Sequence, residues 1–207
     1  MALNGIAGVI LAAGESSRMG RDKALLPWPP KTENSQGGPA GTILSSAIHA
    51  FSEFCDEVFV VAGKNEAALR VVAYAEGASV LTNPAPERGQ FSSLQTGLQE
   101  VPNRGRDSAM VTLVDRPPAS AKTLQTLVDA FQARGHEVWA VVPEHAGKHG
   151  HPILLGREMI TAFLRAPATS NARDIEHAHQ NRIHYVAVND PLVTMNVDTP
   201  EEYASLK

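Results

Sequence analysis

Short apolar runs alternate with longer amphipathic ones along most of this chain, and that alternation restricts the fold more than any other feature. Ile6–Ala13, Glu57–Ala62, Ser79–Leu81, Ala109–Val114 and Val138–Val142 are rich in Val, Ile and Leu. They read as strands buried on both faces. Between them, Thr42–Phe51, Glu66–Ala75, Ser92–Gln99 and Ala121–Ala133 carry apolar residues at helical spacing. Strand alternating with helix predicts an α/β fold with a mostly parallel sheet covered on both faces. Ligands of such a sheet bind beyond the carboxyl ends of its strands. Further on, Pro152–Leu155 reads as a strand, Arg157–Arg165 as a helix, His184–Val188 as a strand, and a last helix starts at Pro200.

The 207 residues suffice for one substantial domain, expected to span 1–207. Its one biased segment, Pro29–Gly41, reads as a flexible surface insertion. Hydrophobic residues make up 43% and the net charge is -4, an ordinary globular balance with no basic field for nucleic acid or an anionic membrane. An anionic ligand must then be held by local groups. The lone cysteine, Cys55, excludes an internal disulfide and a paired-cysteine zinc site. No apolar run reaches membrane-spanning length and the start of the chain does not read as a signal peptide, so a cytoplasmic location is expected.

The first apolar run ends in Leu11-Ala12-Ala13-Gly14, followed by Glu15-Ser16-Ser17-Arg18-Met19-Gly20-Arg21-Asp22-Lys23. Small residues let a ligand approach the backbone, whose N–H groups then donate to phosphate oxygens. Arg18, Arg21 and Lys23 supply the charge that a triphosphate needs. The spacing fits neither a Walker loop, in which Lys follows the second Gly directly, nor the G-x-G-x-x-G dinucleotide turn. Taken on these features alone, an ordinary strand-to-helix turn with solvated basic residues stands equally well.

Two aspartates, Asp115 after Ala109–Val114 and Asp198 after Val193–Val197, close apolar runs. Both sit where a parallel sheet presents groups to its ligand crevice. Helix capping is a weak explanation for either. Thr199-Pro200-Glu201-Glu202 already makes a capping box without Asp198, and Arg116-Pro117-Pro118 blocks an immediate helix after Asp115. Mg²⁺ takes oxygen ligands, commonly one or two carboxylates with phosphates and water, and two such aspartates would suit it.

The segment LAAGESSRMGRDKALLPW resembles the signature of the MobA-like nucleotidyltransferases. Within that superfamily, Leu26-Pro27-Trp28, Gly41-Thr42-Ile43-Leu44, Gly150-His151-Pro152-Ile153-Leu154 and Asp198-Thr199-Pro200-Glu201-Glu202 are most similar to the molybdenum cofactor cytidylyltransferases. The resemblance implies a Rossmann-like three-layer α/β/α sandwich of the nucleotide-diphospho-sugar transferase type. It implies transfer of a nucleotidyl group, CMP from CTP, to the phosphate of molybdopterin with release of pyrophosphate. Alternatives within that fold are GTP, a sugar-phosphate acceptor, or a non-catalytic nucleotide-binding or cofactor-chaperone protein. A molybdoenzyme or its maturation chaperone is the implied protein partner.

Residue by residue, the resemblance makes Arg18, Lys23 and Asp115 catalytic and Asp115 and Asp198 the Mg²⁺ ligands. Leu11–Gly14, Arg18 and Lys23 hold nucleotide, with Asn83, Ser92 and Ser93 as further nucleotide contacts. For Ser92 the alternative is an N-cap with Gln95 at the third helical position. His151 and Arg173 are implied on the acceptor side, with an exposed helix as the alternative for Arg173. Asp115 stands in Val-Asp-Arg-Pro where the cytidylyltransferase pattern more often has Asp-Met-Pro, so Arg116 is a departure.

Overall fold

Alternating residues of the same strand divide between two apolar cores, and this division builds the architecture. In the computed structural model, which describes residues 5–14, 16, 19–30, 41–167 and 169–206, Ile6 and Ile10 face one core while Ala7, Val9 and Leu11 face the other. The predicted Arg18, and 31–40 of the predicted insertion, lie outside the described residues.

The first half of the chain runs β1 (Ile6–Leu11), β2 (Pro27–Trp28), β3 (Gly41–Thr42), α1 (Ile43–Ser52), β4 (Glu57–Ala62), α2 (Glu66–Ala75), β5 (Ser79–Thr82) and α3 (Gln90–Asn103). The second half runs β6 (Ser108–Leu113), α4 (Ala121–Gln132), β7 (Ala140–His145), β8 (Lys148–His149), β9 (Ile153–Gly156), α5 (Arg157–Arg165), α6 (Ala172–Ala178), β10 (Ile183–Ala187) and α7 (Pro200–Ser205). The main sheet has the order β10-β7-β9-β6-β1-β4-β5, with β8 paired to β7. Strands β6, β1, β4 and β5 are mutually parallel, as is β10 with β7, whereas β9 runs antiparallel between β6 and β7. The sheet is mixed and mostly parallel, as the alternation of elements predicts.

One face is covered by α1, α2 and α4 through Ile43, Ile48, Phe51, Leu69, Leu124 and Phe131. The other is covered by α3 and α5 through Phe91, Leu94, Leu98, Met159 and Phe163. The result is a three-layer α/β/α sandwich. Helix α3 lies close on its strands because Gly97 has no side chain. A Cβ there would come within 2.5 Å of Val9 Cγ1 and 2.9 Å of Val61 Cγ2.

The helices start where their caps dictate. Thr42 accepts from the Ser45 N–H in a capping box for α1, Ser120 accepts from the Thr123 N–H for α4, and Thr199 with Glu202 forms the anticipated box for α7. The N-cap of α3 differs from the one expected. Helix α3 begins at Gln90 after Gly89, whose φ of +88° only glycine adopts readily, so Ser92 lies inside the first turn and caps nothing. Its hydroxyl instead donates to the carbonyls of Gly89 at 2.7 Å and Ala85 at 3.1 Å.

The chain leaves β1 for β4 and β5 on one side, then crosses by α3 to β6 on the other side of β1. Loops on either side of β1 therefore splay apart at the carboxyl ends. A crevice opens there, at the switch point where such sheets bind ligands.

Candidate functional site

The crevice at the end of β1 is floored by Leu11, Ala13 and Gly14 and walled by Ser16, Lys23, Lys64, Gln90, Ser93 and Asp115, with a volume of about 470 Å³. A second hollow of about 500 Å³ shares Ala13, Gly14, Ser16 and Lys64 with it and extends to Gly20, Arg21, Asp22 and Asn65. An added Cβ on Gly14 would meet no atom of the described residues, so packing among them does not demand glycine there, and the bare backbone would let a ligand approach closely. At Gly63, by contrast, a Cβ would lie 2.9 Å from the Ala13 carbonyl, so glycine lets the loop after β4 close against the loop after β1.

Side chains stitch those two loops together. Asn65 donates from Nδ2 to the Ala12 carbonyl at 2.9 Å and to Asp22 Oδ2 at 2.7 Å, while its Oδ1 accepts from the Gly63 N–H at 3.1 Å. Asp22 in turn accepts from the Ala24 N–H at 3.0 Å, starting the 3-10 turn that carries Lys23. Ser16, at a left-handed φ of 49°, accepts from the Lys23 N–H at 3.1 Å. Such a conformation is unfavourable for serine and is held in place by the surrounding bonds.

This turn delivers a lysine that is only 8% exposed. Lys23 Nζ donates to Asp198 Oδ1 at 2.6 Å, joining the first loop to a residue 175 positions later. Asp198 reaches that place because the preceding segment is pinned in two ways. The Val197 N–H donates to the Asp115 carbonyl at 2.8 Å. Farther back, the buried Asp190 carboxylate accepts from the Ser120 N–H at 3.0 Å, Thr123 Oγ1 at 2.8 Å and the Leu192 N–H at 3.1 Å. Burial alone pushes its pKa up, but those donors outweigh it and hold the group below the usual carboxylate range.

Asp115 is brought into the same cluster. Burial raises its pKa, Lys23 and Arg116 pull it down, and the Asp198 carboxylate pushes it up again, the net direction being upward. Its Oδ1 is buried with no hydrogen-bond partner. Lys23, Asp115 and Asp198 thus converge, although Asp198 follows a 3-10 turn (Pro191–Thr194) and an irregular stretch and not the strand end expected of it.

The other expected contacts divide. Ser93 lines the crevice. Asn83 is buried and braces the crevice wall from behind. Its Nδ2 donates to Ser92 Oγ at 2.8 Å and Ser93 Oγ at 2.9 Å, and its Oδ1 accepts from the Ala85 N–H at 2.9 Å. His151 stands near Arg116 and not in the crevice lining; burial and the Arg116 charge bring its pKa down to about 3, so the ring is neutral. Arg173 is exposed on α6, where its charge acts on Glu176. Sequence reading missed Lys64 and Asn65. Their one signal was Gly63 directly after an apolar run, the same strand-end syntax as the first loop.

The donor set suits a hard divalent cation that keeps water and phosphate ligands. Among the described residues no group of three His, Cys, Asp or Glu could hold a metal, and those residues would contribute the carboxylates of Asp115 and Asp198. The unpartnered Asp115 oxygen is the atom such an ion would satisfy.

Residues 8–183 match the description "MobA-like NTP transferase domain". The chain belongs to that family. It is 28% identical to the molybdenum cofactor cytidylyltransferase of Escherichia coli K12, over 96% of this chain and 94% of that one. It is 31% identical to a probable molybdenum cofactor guanylyltransferase of Mycobacterium avium over 70% of this chain and 66% of that one. The crystal structure of Rv0371c from Mycobacterium tuberculosis H37Rv is 26% identical and superposes with a TM-score of 0.79, covering 100% of this chain and 98% of that one. A manganese complex of Rv0371c, aligned at 24% identity with a TM-score of 0.73 over 98% of each chain, has the same fold. The family is one of nucleotidyltransferases, and its solved relatives share this Rossmann-like sandwich. Among the described residues of this family member, no helix is long and apolar enough to cross a membrane.

Proposed function

We propose that the chain acts as one catalytic unit that transfers CMP from CTP to the terminal phosphate of molybdenum cofactor, releasing pyrophosphate. The observation that carries the reading is the convergence of Lys23, Asp198 and Asp115 at the mouth of a glycine-floored crevice. The likeness to the cytidylyltransferase over nearly the whole chain supports the cytidine choice and the acceptor. The guanylyltransferase likeness, over a shorter stretch, keeps GTP as the second reading.

The Leu11–Gly14 backbone and Lys23 receive the triphosphate. Asp115 and Asp198 hold Mg²⁺, which when bound neutralises phosphate oxygens as a Lewis acid. An oxygen of the acceptor phosphate attacks the α-phosphorus. A new phosphoanhydride bond forms, the α–β bond breaks, and its electron pair leaves on pyrophosphate. Phosphate monoesters lose their second proton near pH 6, so no strong base is required of the protein. Lys23 moves from Asp198 towards the departing charge or shares itself between the two. A cytoplasmic setting, and delivery of product to a molybdoenzyme or its maturation chaperone, complete the proposal.

Pyrophosphate release measured with each of the four nucleoside triphosphates, against molybdenum cofactor and against sugar phosphates, tests it. Release is expected to be fastest with CTP and molybdenum cofactor. Faster release with GTP overturns the cytidine choice. Tight nucleotide binding without release for any acceptor overturns the enzyme.

A further inference from the structure

Folded proteins pair nearly all buried polar atoms, and each one left unpaired costs about 1–3 kcal/mol. Among the described residues, the buried side-chain nitrogens and oxygens without a hydrogen-bond partner are Arg106 Nε, Asp115 Oδ1, Arg116 Nε and His151 Nδ1. Arg106 is at the far end of the sheet, between Asp56 at 3.3 Å and Glu57 at 3.9 Å. The other residues form one cluster. Arg116 acts electrostatically on Asp115 and on His151, and Asp198 acts on both Asp115 and Arg116. A carboxylate oxygen, a guanidinium donor and an imidazole nitrogen, all unpartnered in one place, form the seat of a polar ligand.

The position of the cluster tells which ligand. Asp115 lines the crevice together with Gly14, Lys23 and Lys64, but Arg116 and His151 do not. Arg116 follows Asp115 directly in the chain and, like His151, stays outside that lining, beside the carboxylate but apart from the triphosphate cradle. Transfer at phosphorus proceeds with the attacking and leaving oxygens roughly in line, so the nucleophile enters opposite the departing pyrophosphate. The triphosphate takes up Lys23 and the crevice lining, which leaves Arg116, next to the Asp115 carboxylate, for the incoming nucleophile. A guanidinium pairs with phosphate through parallel N–H donors, which positions it as well as neutralising it. His151 adds a hydrogen-bonding nitrogen without a second charge, and is fixed by its backbone. Its N–H donates to the Val193 carbonyl at 2.8 Å, and Gly150 permits that approach because a Cβ there would lie 2.2 Å from the same oxygen.

We propose that Arg116 binds the phosphate of the acceptor for in-line attack, with His151 as its positioning neighbour, and that it thereby selects phosphorylated acceptors. This rests on the nucleotidyl-transfer reading above. Methionine, the commoner residue in the cytidylyltransferase pattern, offers no charge at this place, so the contact belongs to this chain rather than to the pattern.

The test uses the whole protein with Arg116→Met and Arg116→Lys, both checked for wild-type melting behaviour. Acceptor and nucleotide concentrations are varied independently in the pyrophosphate-release assay. Arg116→Met should raise the acceptor KM at least tenfold and change the nucleotide KM less than threefold, with Arg116→Lys recovering part of the loss. In parallel, inorganic phosphate is titrated calorimetrically into protein saturated with Mg²⁺ and a nonhydrolysable CTP analogue. Its affinity should fall at least tenfold in Arg116→Met. An unchanged acceptor KM overturns the proposal, as does a nucleotide KM that rises in step with it. If wild type turns over no acceptor, the nucleotidyl-transfer reading fails and the titration decides alone. Phosphate binding lost in Arg116→Met sustains the anion seat, whereas equal binding, or none to wild type, overturns it.

Discussion

Replacing Asp115 with Asn should stabilise the metal-free protein while removing its activity. The carboxylate has its Oδ1 buried with no partner. Burial drives its pKa above the ordinary 3.8, Lys23 and Arg116 oppose that without prevailing, and Asp198 adds to it. A pKa raised by folding means that the folded chain binds this proton more tightly than the unfolded chain does. The ionised group therefore weakens folding at pH 7. That penalty shrinks as pH falls through the raised folded value and is gone below 3.8. Asparagine keeps the shape and removes the charge. An unpaired buried acceptor costs about 1–3 kcal/mol, more when charged. The amide still leaves a polar atom there, and Lys23 and Arg116 lose a counter-charge, so the net gain is about 1 kcal/mol. For a chain of this length that is roughly 2–4 °C in melting temperature. Thermal unfolding in EDTA at pH 7, repeated at decreasing pH, reads it out, and the advantage should fade towards acid. Pyrophosphate release should fall roughly 10²–10³-fold, the usual loss of one charge-stabilising group. A melting temperature several degrees lower, with turnover retained, would make Asp115 a structural counter-ion and refute the reasoning.

Lys23→Ala removes the cation that sits 2.6 Å from Asp198 and should raise the nucleotide KM about tenfold or more, measured by steady-state pyrophosphate release. Gly97→Ala drives a Cβ to 2.5 Å from Val9 Cγ1, and should lower stability by about 1–3 kcal/mol in denaturant unfolding despite alanine's better helix propensity. Burial, with Asp56 beside it, pushes the Cys55 thiol up to about 12, so iodoacetamide at pH 8 should label the folded protein at least tenfold more slowly than the urea-unfolded one.

Much of the site was readable because its signals are local. The small residues of Leu11–Gly14, the position of Asp115 after an apolar run, and the capping box that leaves Asp198 over are all patterns within a few residues. Ser92 was misplaced by the same kind of reasoning. Serine followed by Gln95 looks like a cap, but Gly89, at positive φ, caps α3 three residues earlier. Lys64 and Asn65 were missed because their one local signal, Gly63 after an apolar run, does not say that the loop after β4 folds against the loop after β1. That contact depends on the missing Cβ of Gly63 and on a hydrogen bond to Asp22, 43 residues away. Asn83 resembles a ligand contact by its place, yet its amide is taken up by Ser92, Ser93 and the Ala85 N–H.

By itself, the sequence determined the layered α/β class, the small-residue loop that ends the first strand, and the capping box after Asp198, since each follows from periodicity and residue type over short spans. Tertiary structure alone decided that β1 stands between β4 and β6, because crossover order depends on packing of both sheet faces and not on any one segment. It also decided that Lys23 meets Asp198, and that His151 comes near the Arg116 that follows Asp115. Those contacts join segments distant in the chain, where the burial that sets their electrostatics arises only once the layers close.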